Sequence, residues 1–176
     1  MKRFLHIFFG QLSTSWMSIK LYSACAELYS ILILWGSIAK GKALFPVARN
    51  LALDMRASIK YPENIKMGND VIIGSNCSIG AMAQVIISDL VRISKNVTIE
   101  TATLDFTTAL PYAHIAKPIT IGRGVWLSSG VTVLGGVSIG DYAIIGAGAV
   151  IAKDVEPYAV VVGASTRKIR LLNEVE

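Results

Sequence analysis

Few side chains in this 176-residue chain can move a proton near neutral pH, and that scarcity narrows the chemistry at once. Histidine occurs twice, at His6 and His114. Two imidazoles cannot build a metal site that needs three from one chain, so catalysis at such a zinc is excluded. His114 lies between Pro111 and Pro118, nine residues after Asp105. An imidazole that a carboxylate can orient is a general base for a hydroxyl proton. Asp105 by itself would be a poor base unless burial raised its pKa. Cys25 and Cys77 form no C-x-x-C pair, which points to a reducing compartment. No P-loop or dinucleotide fingerprint occurs: Gly122-Arg123-Gly124 and Gly146-Ala147-Gly148 read as turns of a repeat. With 53% hydrophobic and 16% charged residues the chain is too apolar to be disordered. Its net charge of +5 suits an anionic ligand or a membrane surface without calling for nucleic acid.

The elements that must position these groups follow from a period of six. From residue 45 onward, positions i−2 and i carry aliphatic residues, with Met, Cys or Phe in places. The pairs run from Phe45/Val47 through Val71/Ile73, Val91/Ile93, Val125/Leu127 and Val131/Val133 to Ala149/Ile151. Two-residue insertions, Glu63-Asn64 and Ala83-Gln84, and one long break, Thr103 to Pro118, interrupt fifteen such pairs. Positions two apart share one side of a strand, so short strands coil with residue i inside. Gly68, Gly74, Gly80, Gly122, Gly140 and Gly146 follow at i+1, where the chain is expected to take up turn conformations that a β-carbon penalises. Polar pairs such as Asn69-Asp70 and Ser75-Asn76 finish the corners. Three hexads per coil give about five coils of an all-β solenoid, a parallel β-helix whose rungs bury one another. The expected organisation is an N-terminal helical, apolar segment over 1–44, the β-helix over 45–156 with one extended loop at 103–118, and a tail over 157–176.

The first segment reads differently from the rest. Leu21 to Ala39 holds one formal charge, Glu27, between Lys20 and the pair Lys40 and Lys42. That raises the question of a membrane span. Leu21, Leu28, Ile31, Leu32, Trp35 and Ile38 form a broad stripe that fits a packing or interfacial helix better, with peripheral membrane contact through residues 1–44.

On these hexads the chain resembles the hexapeptide-repeat acyltransferases, which form left-handed parallel β-helices. The resemblance covers roughly residues 45 to 170. Its most specific runs are Lys117-Pro118-Ile119-Thr120-Ile121-Gly122-Arg123-Gly124-Val125-Trp126-Leu127, Gly146-Ala147-Gly148-Ala149-Val150 and Lys153-Asp154-Val155-Glu156-Pro157. It is most similar to the small bacterial sugar and polysaccharide O-acetyltransferases. The likeness implies a homotrimer with acetyl-CoA as acyl donor, held in grooves between prisms so that two subunits share each site. It implies that Ser129 and Ala147 contact the pantetheine arm by backbone and that Trp126 lines the acyl end. It assigns Lys153, Arg167, Lys168 and Arg170 to the CoA phosphates, which cationic side chains suit. Where the family usually has Gly-Asn-Pro-Ala, this chain reads Gly163-Ala164-Ser165-Thr166.

The family's base is a histidine in Thr-x-Thr-His-Asp or Thr-His-Pro, just before the loop. This chain has Thr101-Ala102-Thr103-Leu104-Asp105, with leucine at that position. Three readings follow: His114 is recruited as base, with Asp105 to orient it; the acceptor is an amine that needs little base; or catalysis is lost and an inactive CoA-binding trimer remains. The expected function is acetyl transfer to a hydroxyl of a saccharide, or of its activated or lipid-linked precursor, in polysaccharide biosynthesis. The expected place is the cytoplasm, near the inner face of the membrane. The alternatives are an amino-sugar N-acyltransferase and the inactive trimer, with a bactofilin-like scaffold as the purely structural option. Ice binding is disfavoured by mixed outward positions, and a sugar nucleotidyltransferase by the lack of room for a second α/β domain.

Overall fold

The computed structural model describes residues 16–163 and the backbone of 167–171. The chain divides into two units, one ending at Gly36 and one beginning at Ser37. Helix α1 (Trp16–Leu44) runs through the boundary. Its composition lacks proline until Pro46, and the residue before a proline disfavours helical backbone, so the helix stops at Leu44. Leu21, Leu28, Ile31, Leu32, Trp35 and Ile38, the expected packing stripe, are all exposed. In the second unit, the Met55 N–H donates to Ser37 Oγ at 2.9 Å. Lys40 Nζ donates to the carbonyls of Met55 and Ala57, so the last turns of the helix are tied to the first coil.

The second unit is a left-handed parallel β-helix with three flanks. Flank A stacks β1 (Ala52–Leu53), β4 (Ile72–Ile73), β7 (Arg92–Ile93), β12 (Trp126–Leu127), β15 (Ile144–Ile145) and β17 (Ala159–Val162), with β18 (Arg167–Leu171) added antiparallel. Flank B stacks β2 (Ser58–Lys60), β5 (Ser78–Gly80), β8 (Thr98–Glu100), β13 (Thr132–Leu134) and β16 (Val150–Ile151). Flank C stacks β3 (Ile65–Met67), β6 (Val85–Ile87), β11 (Ile119–Ile121) and β14 (Ser138–Ile139). The remaining strands, β9 (Ala102–Asp105) and β10 (Ala113–Ala116), form a hairpin of their own.

Register holds position i in one column. On flank A, Leu53, Ile73, Ile93, Leu127, Ile145 and Val161 face one another rung by rung, and each is buried. A residue displaced by one position would leave this column for solvent, which is why the six-residue pattern fixes the coil.

Three details differ from the sequence expectation. Phe45/Val47 is not a rung: Phe45 is buried, but Val47 is exposed in the turn that follows α1. Flank A instead gains a sixth rung at β17, where Ala159 and Val161 are buried, so the solenoid has about six coils. The glycines at i+1 answer a close approach and not a left-handed backbone. A β-carbon on Gly68 would lie 2.5 Å from the Ser88 carbonyl carbon, and one on Gly140 would lie 2.4 Å from Pro157 N. The positive φ falls three residues after position i, at Asp70 (56°), Asn76 (57°) and Asn96 (59°).

Candidate active site

All three interruptions of the repeat fall on one edge, between flanks B and C. They are the turn Pro62–Asn64, the turn over 81–84 and the excursion over 101–118. Thr101 roots the excursion. Its buried Oγ1 donates to the Gly80 carbonyl at 2.9 Å and accepts from the Ala83 N–H at 3.1 Å. Its own carbonyl accepts from the Lys117 N–H at 3.0 Å, which brings the returning strand back beside the departing one. Glu100 Oε1 accepts from the Ala102 N–H at 3.1 Å at the same root.

The hairpin register carries the main result. In the β9–β10 ladder, His114 stands opposite Leu104, with Ala113 opposite Asp105 and Ile115 opposite Thr103. Residues directly opposite in an antiparallel pair share a face, with β-carbons ~4.5–5.5 Å apart. His114 therefore occupies the same patch as Leu104, and it is exposed. The pleat puts Asp105 on the other face. Its Oδ1 accepts from the Thr107 hydroxyl at 2.6 Å and the Thr107 N–H at 3.0 Å. Those bonds hold the Asp105 carboxyl below the usual carboxylate range, so it caps the hairpin turn and does not orient His114. Phe106 and Tyr112 meet edge to face at 5.3 Å across the loop.

Trp126 lies on flank A, away from the B–C edge that carries the hairpin. Its indole is half-exposed, and Nε1 donates to Ser94 Oγ at 3.2 Å. Ile72, Arg92, Ile93, Ser94 and Trp126 line a cleft of about 330 Å³. Arg92 pairs with Trp126 in register, one coil earlier.

Ser129 and Ala147 stack on the A–B edge, one coil apart. The Gly148 N–H donates to the Ser129 carbonyl at 3.0 Å, and the Gly130 N–H donates to the Lys95 carbonyl at 3.1 Å. Along this edge the left-handed position is Asn76 and Asn96 in early coils but Gly130 (φ 72°) and Gly148 (φ 68°) later. A β-carbon on Gly148 would meet nothing within 4 Å. The later coils thus present bare backbone where the pantetheine arm was expected, and the residues present fit it. Sequence reading passed over this change from asparagine to glycine, though it is visible every time the turn recurs. It also passed over Ser94 and Arg92, which only the stacking of coils brings to Trp126.

Lys153 is exposed after β16, whereas Arg167, Lys168 and Arg170 lie on β18 against flank A. One chain places them at different edges of its C-terminal end. Residues 164–166, where the sequence departs from the family pattern, lie outside the described residues. Among the described residues no three His, Cys, Asp or Glu side chains converge on a metal position.

Comparison with known proteins agrees with the fold. Residues 118–153 match the family model for bacterial transferase hexapeptide (six repeats). No curated protein matches the chain in sequence. Among solved structures, a galactoside acetyltransferase in complex with coenzyme A is 30% identical, with a TM-score of 0.71 over 78% of this chain and 72% of that one. A maltose O-acetyltransferase from Clostridium difficile 630 is 26% identical, with a TM-score of 0.70 over 92% of this chain and 91% of that one. A hexapeptide-repeat-containing acetyltransferase from Vibrio cholerae O1 biovar eltor, complexed with acetyl coenzyme A, has a TM-score of 0.73 at 24% identity over 91% of each chain, a likeness of fold. With the six-residue ladder, the matched repeats and a relative of this identity and coverage, the chain belongs to the hexapeptide-repeat transferases.

Proposed function

We propose that this chain is an acetyl-CoA-dependent O-acetyltransferase whose acceptor is a hydroxyl of a saccharide or of its activated or lipid-linked precursor. The observation that carries this reading is the pairing of His114 with Leu104. The family resemblance puts the base at position 104, and the hairpin register returns an imidazole to that face from the opposite strand. Acetyl-CoA, when bound, supplies a thioester carbonyl that the acceptor oxygen attacks, with loss of the CoA thiol. His114 takes the proton from the attacking hydroxyl and returns it to the departing sulfur, so that CoA leaves as the thiol. Trp126, steadied by Ser94, walls the acyl end, and the bare backbone at Ser129 and Ala147 admits the pantetheine arm. Lys153, Arg167, Lys168 and Arg170 provide charge for the phosphates.

A homotrimer completes the site. The hairpin on the B–C edge and the glycine groove on the A–B edge flank the same face of the prism. Its outward positions, Ser58, Ser78, Thr98, Thr132 and Val150, are small and lie in register. Such a flat face suits packing around a threefold axis, which would bring the hairpin of one subunit to the groove of the next. The enzyme acts in the cytoplasm at the inner face of the membrane, in polysaccharide biosynthesis.

The test is thiol release from acetyl-CoA against panels of neutral and amino sugars, for the native chain and His114→Ala. The reading expects turnover on neutral sugars that falls ~10²- to 10⁴-fold in the variant. Turnover confined to amino sugars and indifferent to His114 would assign N-transfer instead. CoA binding without turnover would assign an inactive trimer.

A further inference from the structure

We propose that the segment Trp16–Gly36 of α1, which ends before the turns tied to the first coil, spans a lipid bilayer as a single helix. This inference stands apart from the transfer reading, since it uses none of the residues assigned to acetyl transfer.

The helix is long and apolar enough to cross a membrane, and none of its most apolar stretch is buried. Ile31, Leu32, Ile33, Leu34 and Trp35 are consecutive, so at 100° per residue they cover the whole circumference. Four of the five are exposed, Leu32 by 60% and Trp35 by 74%. A helix lying along a membrane surface would turn at least one of them to water, and a helix packed on one partner would bury only a stripe. Apolar side chains on every side call for an apolar medium on every side.

The dimensions agree. From Trp16 to Gly36 the helix extends about 31 Å at 1.5 Å per residue, close to the ~30 Å hydrocarbon core. Lys20 lies near one end and Lys42 beyond the other, cations that complement anionic headgroups. Trp16 and Tyr22 sit near one end, and the Lys20 ammonium lies 3.9 Å from the Trp16 ring centroid, an amphipathic pairing suited to the interface.

The polar groups within the span are few and mostly spoken for. Ser23 Oγ donates to the Lys20 carbonyl and Ser30 Oγ to the Ala26 carbonyl, each at 2.9 Å. Hydroxyls bonded back to their own helix enter lipid without leaving a donor unpaired. Glu27 is the one formal charge between Lys20 and Lys40, and Ser23, Glu27 and Ser30 lie three and four apart on one narrow seam. The seam leaves the rest of the circumference to lipid.

The full-length chain, synthesised in a cell-free system with vesicles of phosphatidylcholine and phosphatidylglycerol, tests this by flotation followed by an alkaline carbonate wash. A spanning helix floats with the vesicles and resists the wash. Flotation followed by release in carbonate would overturn the span in favour of a surface helix. Protein left in solution would overturn it in favour of cover by other protein chains. Leu28→Lys should lower the ratio of carbonate-resistant to released protein by roughly a hundredfold, the usual effect of a lysine near the bilayer centre. Glu27→Leu should raise it. Unchanged partition in both variants contradicts the proposal, and the β-sheet circular dichroism of each variant separates failed insertion from failed folding of the prism.

Discussion

Replacing Gly148 by asparagine should damage donor binding while leaving the prism standing. Asn76 and Asn96 already hold the left-handed corner on this edge, at φ 57° and 59°, so asparagine is compatible with the turn that Gly148 makes at 68°. A new β-carbon meets nothing within 4 Å, so no packing is lost. The remaining cost is the left-handed backbone itself, about 1 kcal/mol, which lowers Tm by roughly 2–4 °C for a chain of this size. The donor sees a different change, because an asparagine side chain now stands on backbone that the pantetheine arm is expected to contact. Losing one or two hydrogen bonds of about 0.5–1.5 kcal/mol each should weaken CoA binding roughly 2- to 150-fold. Calorimetric titration of coenzyme A, beside a thermal melt, reads both quantities. Asn96→Gly, two coils earlier on the same edge, should leave CoA affinity unchanged. Gly148→Asn with native affinity would refute the assignment of this edge to the donor.

Other outcomes follow from single contacts. Thr101→Val keeps the shape of a buried side chain but leaves the Ala83 N–H without its acceptor, which should cost about 1–3 kcal/mol and be seen as a lower urea midpoint. Ile99→Ala opens a cavity in the column of flank B and should cost about 2–5 kcal/mol. Ile72→Ala, on the outer face of flank A, should be nearly neutral in the same denaturation series. Asp105 has a lowered pKa, so its bonds to Thr107 support the hairpin above the ordinary carboxylate range and are lost as pH falls through the folded value. Thr107→Val should therefore move the Asp105 titration, followed by carboxyl carbon NMR, back up toward the usual range.

The coil was readable because its driving force is local and periodic: each buried position recurs every six residues, and burial of that column is what the period reports. Reading stopped where the period did. Phe45/Val47 matched the pattern by type, yet Pro46 and the end of α1 turn Val47 into solvent. The rung at Ala159/Val161 reads as tail in the sequence because the chain reaches it through the shortened step at Val155 to Pro157. The site was only half legible. Its donor edge is written in the corner residues, whereas the pairing of His114 with Leu104 depends on a hairpin closed by Thr101 and Lys117, contacts between residues sixteen apart. Asp105 shows the limit of spacing arguments, since a carboxylate near a histidine in sequence lies on the other face of the hairpin and belongs to Thr107.

Exchanging the two sides of the hairpin tests the central claim most directly. In Leu104→His/His114→Leu the imidazole moves across one strand but stays on the same face, so kcat/KM for acetyl transfer to a neutral sugar should remain within about tenfold of native. His114→Leu alone should fall ~10²- to 10⁴-fold. Equal activity in the native chain and in His114→Leu would contradict the account.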